Sequence, residues 1–230
     1  MDIAENLKQV KNRMEQACAR VQRDPASVTL IAVSKTKPIE MMEEAMAAGT
    51  DVFGENKVQE ITRKRPLLPE SVHWHMIGHL QRNKVSQLAG KVDYIHSVDS
   101  LRLAHTIEKE YAKIDEMARI FLEVNVAREE SKFGFLPEQL MDAVVEIAKL
   151  PHIKVVGLMT IAPFVLNPEE NRKHFSNLKQ LLVDINAKNI DNISMSELSM
   201  GMTGDFEVAI EEGATFVRVG TGIFGERTTT

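Results

Sequence analysis

Thr29-Leu30-Ile31-Ala32-Val33-Ser34-Lys35 is a short apolar run that stops on a hydroxyl and a lysine. Its length and apolar content make it a candidate strand. Before it, Ile3, Leu7, Val10, Met14 and Val21 recur at helical spacing among Lys, Arg and Glu, which predicts an amphipathic helix over 2–23, stopped by Asp24-Pro25. After it, further short apolar runs alternate with longer amphipathic stretches. The candidate strands are 29–35, 51–53, 72–78, 92–98, 119–126, 153–161, 193–199 and 216–220, with helical patterns such as 39–48, 101–113, 137–149, 168–186 and 205–212 between them. Roughly eight strand–helix units imply a parallel sheet with helices outside. In about 200 residues they fit an α/β fold of the TIM-type (β/α)8 barrel class with an additional N-terminal helix. An open doubly wound sheet is the alternative, and it would use fewer of these strands.

The bulk properties agree with one barrel domain over 1–230. The chain has 230 residues, 43% hydrophobic and 27% charged, enough to bury a core without disulfides. The net charge of -5, with no block of like charges, argues against non-specific binding to nucleic acid or an anionic membrane. Cys18 is the only cysteine, which points to a reducing compartment. Neither a signal peptide nor an apolar run of membrane-spanning length is evident, so the expectation is a cytoplasmic protein.

In such a barrel the chemistry sits where strands end and loops begin. Ile31, Val33 and Lys35 share one strand face. If Val33 points into the barrel, Lys35 does too, at the rim. A lysine that is partly desolvated there, near other cations, has an amine available to attack an aldehyde. The competing reading is a solvated lysine that ends a strand, and Lys37 reads as a surface residue. Phe216, Arg218 and Gly220 share one face of the last run. An arginine between valines must be paired, either in a buried salt bridge or with an acceptor on a ligand. Gly220-Thr221-Gly222 then offers backbone N–H groups and a hydroxyl to a phosphate, and Ser199-Met200-Gly201 offers a similar turn one strand earlier.

Several stretches carry a family resemblance. They are Ala32-Val33-Ser34-Lys35-Thr36-Lys37, Phe53-Gly54-Glu55-Asn56, His73-Trp74-His75-Met76-Ile77-Gly78-His79-Leu80-Gln81, Leu198-Ser199-Met200-Gly201-Met202 and Val217-Arg218-Val219-Gly220-Thr221. In this order and spacing the chain resembles the pyridoxal phosphate homeostasis proteins, the alanine racemase N-terminal-domain-like family, nearly end to end. The resemblance implies a barrel that binds pyridoxal 5′-phosphate. Lys35 would carry the Schiff base, Ser199, Gly220 and Thr221 would hold the phosphate, Asn56 would line the pocket, and Arg218 would face the pyridine nitrogen. It also implies a role in intracellular vitamin B6 and amino-acid balance without turnover of its own. Two departures are visible. Thr203 stands where family members often have Ser, and Gly222 where many have Ala.

Binding of that cofactor need not mean catalysis. Its ring stabilises a carbanion best with a protonated nitrogen, and an arginine, which can only donate, opposes that proton. The tyrosine-bearing second domain of alanine racemase has no counterpart in this sequence. Tyr94 reads as mid-strand and Tyr111 as helical, so both read as structural and a second proton-transfer base is missing. A monomer is expected, with a small-molecule cofactor as ligand and cofactor-requiring apoenzymes as candidate acceptors. Lys132, in a top-face loop, is a candidate to modulate cofactor release; its alternative is a solvated loop lysine. Three rivals stay open: a racemase acting on amino acids, an aldolase using Lys35, and a metal site on the His73/His75 strand face, for which no further ligands stand out.

Overall fold

The computed structural model describes residues 2–226. Eight strands form a closed, all-parallel barrel in sequence order: β1 (Thr29–Val33), β2 (Val52–Glu55), β3 (His73–Met76), β4 (Tyr94–Val98), β5 (Ala118–Glu123), β6 (Ile153–Met159), β7 (Glu197–Met202) and β8 (Phe216–Val219). This is the (β/α)8 barrel expected from the alternation of patterns. The N-terminal helix α1 (Ile3–Arg20) precedes β1. Each strand is then followed by a helix: α2 (Ile39–Ala47), α3 (Val58–Lys64), α4 (Val85–Leu88), α5 (Leu101–Ala112), α6 (Pro137–Ile147), α7 (Arg172–Asn186), α8 (Phe206–Glu211) and α9 (Thr221–Phe224).

Strand alternation sorts the side chains into two cores. One set, including Leu30, Ala32, Phe53, Trp74, Ile95, Ile120, Leu122, Val217 and Val219, packs outward under the helices. The other, Ile31, Phe121, Val156, Met159 and Phe216, fills the barrel interior. Gly157 permits the close β6–β7 approach, because a Cβ there would lie 1.7 Å from the Glu197 carbonyl oxygen.

α1 begins at Asp2, whose carboxylate accepts the Glu5 N–H at 2.9 Å. It buries Ile3, Leu7, Val10, Met14, Ala17 and Cys18 against α8, α9 and α2. It ends at Arg20 rather than running to residue 23. Gln22 takes a left-handed φ of 55°, and the Arg23 guanidinium turns to the Ile210 and Ala214 carbonyls. Among the described residues no helix is long and apolar enough to cross a membrane. Met1 and residues 227–230, which fall within the 1–230 domain expected from the sequence, lie outside the described residues.

Candidate functional site

Lys35 lies two residues beyond the end of β1, half-buried, in a turn whose next residue, Thr36, has φ 63°. β1 closes the barrel against β8, with Ile31 in register with Arg218 and Ala32 with Val219. Gly220 therefore sits against Val33, where an added Cβ would be 3.3 Å from the Val33 Cβ. The lysine turn and the Gly220-Thr221-Gly222 turn, far apart in sequence, thus occupy adjacent strand ends. Lys37 ties them together. Its ammonium donates to the carbonyls of Phe224, Gly225 and Glu226 at 2.9, 3.2 and 3.1 Å. Lys37 is thus a half-buried clamp on the end of α9, not the surface residue expected.

Beneath the lysine turn lies a buried ion network. The Glu55 carboxylate accepts from Ser34 Oγ at 2.6 Å and from Lys64 Nζ at 2.7 Å. Lys64 also donates to the Ser34 carbonyl at 2.9 Å and pairs with Glu60 at 3.1 Å. Glu60 in turn accepts the Thr36 N–H at 2.8 Å. Burial pushes the Glu55 carboxyl upward, and the Lys64 contacts oppose that shift. Sequence reasoning missed Lys64. A Glu four residues before a Lys on a helix ordinarily reads as an exposed pair.

At the β8 turn the hydroxyl of Thr221 and the N–H of Gly222 converge on Thr203 Oγ1, at 3.2 and 3.3 Å. Ser199, expected to hold a phosphate, is elsewhere. β7 spans Glu197–Met202 rather than 193–199, so Ser199 is mid-strand and fully buried, and its hydroxyl is engaged inside the barrel. The strand's register against β8 shifts between Ser199 and Met202, and Gly201 takes φ 93°. That irregularity delivers Thr203, not Ser199, to the neighbourhood of Thr221.

The barrel interior above the Phe121 and Phe216 rings holds a polar chain. Arg218 donates to Ser199 Oγ at 2.6 Å and to the Thr160 carbonyl at 2.8 Å. Ser199 Oγ lies 2.8 Å from His96 Nδ1, and His96 Nε2 lies 2.8 Å from His75 Nδ1. Burial drives His75 down to about 3 and His96 well below its ordinary value, so both are neutral. The arrangement that uses every proton has Ser199 donating to His96 Nδ1 and His96 Nε2–H donating to His75. Burial lowers Arg218 to about 10, which leaves it a cation at neutral pH. Glu123, buried on the same interior side at the end of β5, is pushed up to about 7 by burial and by Asp99, against the pull of Arg218 and Lys132. Lys132 itself is exposed. His96 and Glu123 were not singled out from sequence. The available signal was the two-residue spacing that puts them on the same strand faces as Tyr94 and Phe121.

Asn56 follows β2 directly and is half-buried. Gly78 packs against its backbone so closely that a Cβ there would lie 2.4 Å from the Asn56 carbonyl oxygen. Asn56 also lines a recess of about 450 Å³ with Lys57, Met76, His79, Gln81 and Lys84, on the β2–β3 side of the mouth. Neither Lys35 nor the β8 turn lines that recess. Tyr94 opens β4, half-buried against the rings of His75, Phe121 and Phe216, and Tyr111 is buried in α5. His75 faces the interior while His73 is exposed, and no group of three or more His, Cys, Asp or Glu among the described residues is placed to hold a metal ion.

The profile of the alanine racemase N-terminal domain matches residues 3–228. A pyridoxal phosphate homeostasis protein of Aquifex aeolicus is 44% identical over 228 residues, 99% of either chain. Its namesake in Pseudomonas aeruginosa is 40% identical over 226 residues, 98% of this chain and 96% of that one. The chain belongs to the pyridoxal phosphate homeostasis protein family. The resemblance carried by the motifs is thereby borne out. Among solved structures, PipY of Synechococcus elongatus, solved with PLP bound, superposes with a TM-score of 0.83 at 35% identity, covering 97% of this chain and 100% of PipY. Alanine racemase of Clostridium difficile matches at TM-score 0.74 and 15% identity, covering 99% of this chain but 57% of the racemase. That likeness shows the shared barrel alone.

Proposed function

We propose that this chain binds pyridoxal 5′-phosphate through a Schiff base on Lys35 and serves vitamin B6 and amino-acid homeostasis without catalytic turnover. One observation carries the reading: barrel closure through β1 and β8 sets the lysine turn beside a glycine turn rich in donors. When bound, the cofactor supplies an electrophilic aldehyde and an electron-withdrawing ring. The Lys35 amine adds to the aldehyde carbon, a C=N bond replaces C=O, and water leaves. Gly220, Thr221 and the Gly222 N–H hold the phosphate, with the Thr203 hydroxyl in the place first assigned to Ser199. Ser199 contributes through Arg218, whose guanidinium faces the ring nitrogen and disfavours its protonation. Asn56 lines the approach. The residues present fit the group, because the Thr221 hydroxyl, the Gly222 N–H and the Thr203 hydroxyl cluster at the β8 turn and Arg218, a buried cation, lies two residues before Gly220 on the same strand.

The non-catalytic role is supported by the tyrosines. Tyr94 is wedged among the rings of His75, Phe121 and Phe216, and burial pushes Tyr111 up to about 12, which makes Tyr111 unsuited to proton transfer at neutral pH. The role as a cytoplasmic monomer that passes cofactor to apoenzymes belongs to the same proposal. A second reading, an amino-acid racemase, is favoured by Glu123, a buried carboxyl near neutrality in the barrel interior. Purified full-length protein incubated with the cofactor should turn yellow, lose the colour on borohydride reduction, and yield a modified peptide containing Lys35. Lys35→Ala should abolish the visible band, and a band that survives assigns the cofactor to another lysine. Sustained turnover of free amino acids would decide for the racemase.

A further inference from the structure

We infer that Glu55, Lys64 and Glu60 form a positioning device for Lys35, which sets how fast its amine condenses with an aldehyde. The inference rests on Lys35 as the condensing residue. The residues on both sides of Lys35 are gripped by three side chains that bond one another. On the N-terminal side, Ser34 gives its hydroxyl proton to Glu55 at 2.6 Å and its carbonyl to Lys64 at 2.9 Å. On the C-terminal side, Thr36 gives its N–H to Glu60 at 2.8 Å while holding φ at 63°, a region that residues with a Cβ seldom occupy. The two grips are joined, since Lys64 bonds both carboxylates, at 2.7 and 3.1 Å.

Burial makes the joint rigid. The side chains of Lys64 and Glu55 are 1% and 0% exposed, so neither charge can trade its partner for water without a large penalty. A lysine on an ordinary loop samples many backbone states. Here the two peptide units flanking Lys35 are held, which fixes the stretch of backbone from which its side chain leaves, at a strand end adjacent to the β8 turn. Pre-set placement of this kind lowers the barrier for condensation without adding a contact to the ligand. Every member of the trio lies on β2 or α3, so one strand–helix unit carries the whole device.

Glu60 is the member suited to testing, because its side chain is 12% exposed and its loss leaves the Glu55–Lys64 pair intact. Full-length Glu60→Ala and Glu60→Gln would be mixed with pyridoxal 5′-phosphate. Total bound cofactor would be measured by dialysis, and Schiff-base formation by stopped-flow absorbance and hydride trapping with peptide mapping. Acetic anhydride labelling of the cofactor-free chain would report the reactivity of Lys35 directly. Glu60→Ala should bind a comparable amount of cofactor and melt close to the wild type, yet condense about tenfold to a hundredfold more slowly, with altered Lys35 labelling. Glu60→Gln, whose amide oxygen still accepts the Thr36 N–H, should restore the rate. Wild-type condensation and labelling in Glu60→Ala overturn the device while leaving Lys35 as the attachment point. A rate loss matched by an equal loss of fold or of total binding also overturns it. If hydride fixes the wild-type cofactor to another lysine, the attachment reading and the device fall together.

Discussion

Arg218 can only donate, and its two described partners, Ser199 and the Thr160 carbonyl, hold it inside the barrel beside the electrostatic reach of Glu123. Replacing it with Gln removes a cation that restrains protonation of Glu123. The Glu123 carboxyl should then titrate above about 7, read by NMR, and the visible band of the cofactor-loaded protein should shift. An unchanged band would separate Arg218 from the ring. Glu123 also makes stability depend on pH. An unfolded glutamate titrates near 4.5 and this one at about 7, so folding takes up a proton between those values. Stability from this group is therefore greatest below pH 4.5 and declines as pH rises to 7, by about 3 kcal/mol at most. Glu123→Gln should flatten that decline in urea titrations at pH 5 and pH 8, and a variant with the wild-type slope would clear Glu123 of the effect. Strand alternation alone made the face of Arg218 readable. Glu123 and His96 obey the same alternation, but a lone acid or histidine gives no sign from sequence of how deep in a barrel it lies.

The turn after β7 shows where reading by element breaks down. An apolar run ending in Ser199 invited a strand over 193–199, whereas the chain enters the sheet only at Glu197 and leaves it at Met202. Parallel pairing, not apolar content, set those ends, and the register shift near Gly201 brought the Thr203 hydroxyl beside Thr221. The remaining strands and the long helices were legible because their periods persist over many residues, while their ends moved by up to four residues for the same reason. Thr203 and Gly222, the two positions expected to depart from the family pattern, are neighbours. A Cβ at Gly222 would lie 3.1 Å from Thr203 Cγ2 and 3.0 Å from Val219 Cγ1, so the extra methyl of Thr203 occupies space that Gly222 leaves open. Gly222→Ala alone should cost about 1 kcal/mol through overpacking. Thr203→Ser should offset part of that in the double variant, with a coupling of about 0.5 kcal/mol or more in denaturant melts. Simple additivity would mean that the two positions do not share this space.

At the scale of the whole molecule the barrel is layered. Apolar rings make the floor, the His75–His96–Ser199–Arg218 chain lies above them, and the lysine and glycine turns form the rim. The barrel itself followed from counting strand–helix units, and its closure explains why residues at opposite ends of the sequence meet. The ion network under Lys35 was not legible, because burial of Lys64 depends on how α3 seats against β2, which no local pattern encodes. Layering makes the floor responsible for more than stability. The Phe121 ring stacks on His96 at 4.3 Å between centroids and meets Phe216 edge-on at 5.6 Å. Phe121→Ala should cost about 3–5 kcal/mol. It should also free His96 to tilt, loosen Ser199 and Arg218 above it, and broaden the visible band of the loaded protein. Phe175, equally buried but packed outside the barrel on α7, is the matched control. Phe175→Ala should lose similar stability in urea while leaving the band unaltered. If the two variants change the spectrum equally, or neither does, the floor does not support the polar layer and the two functions of the interior are independent.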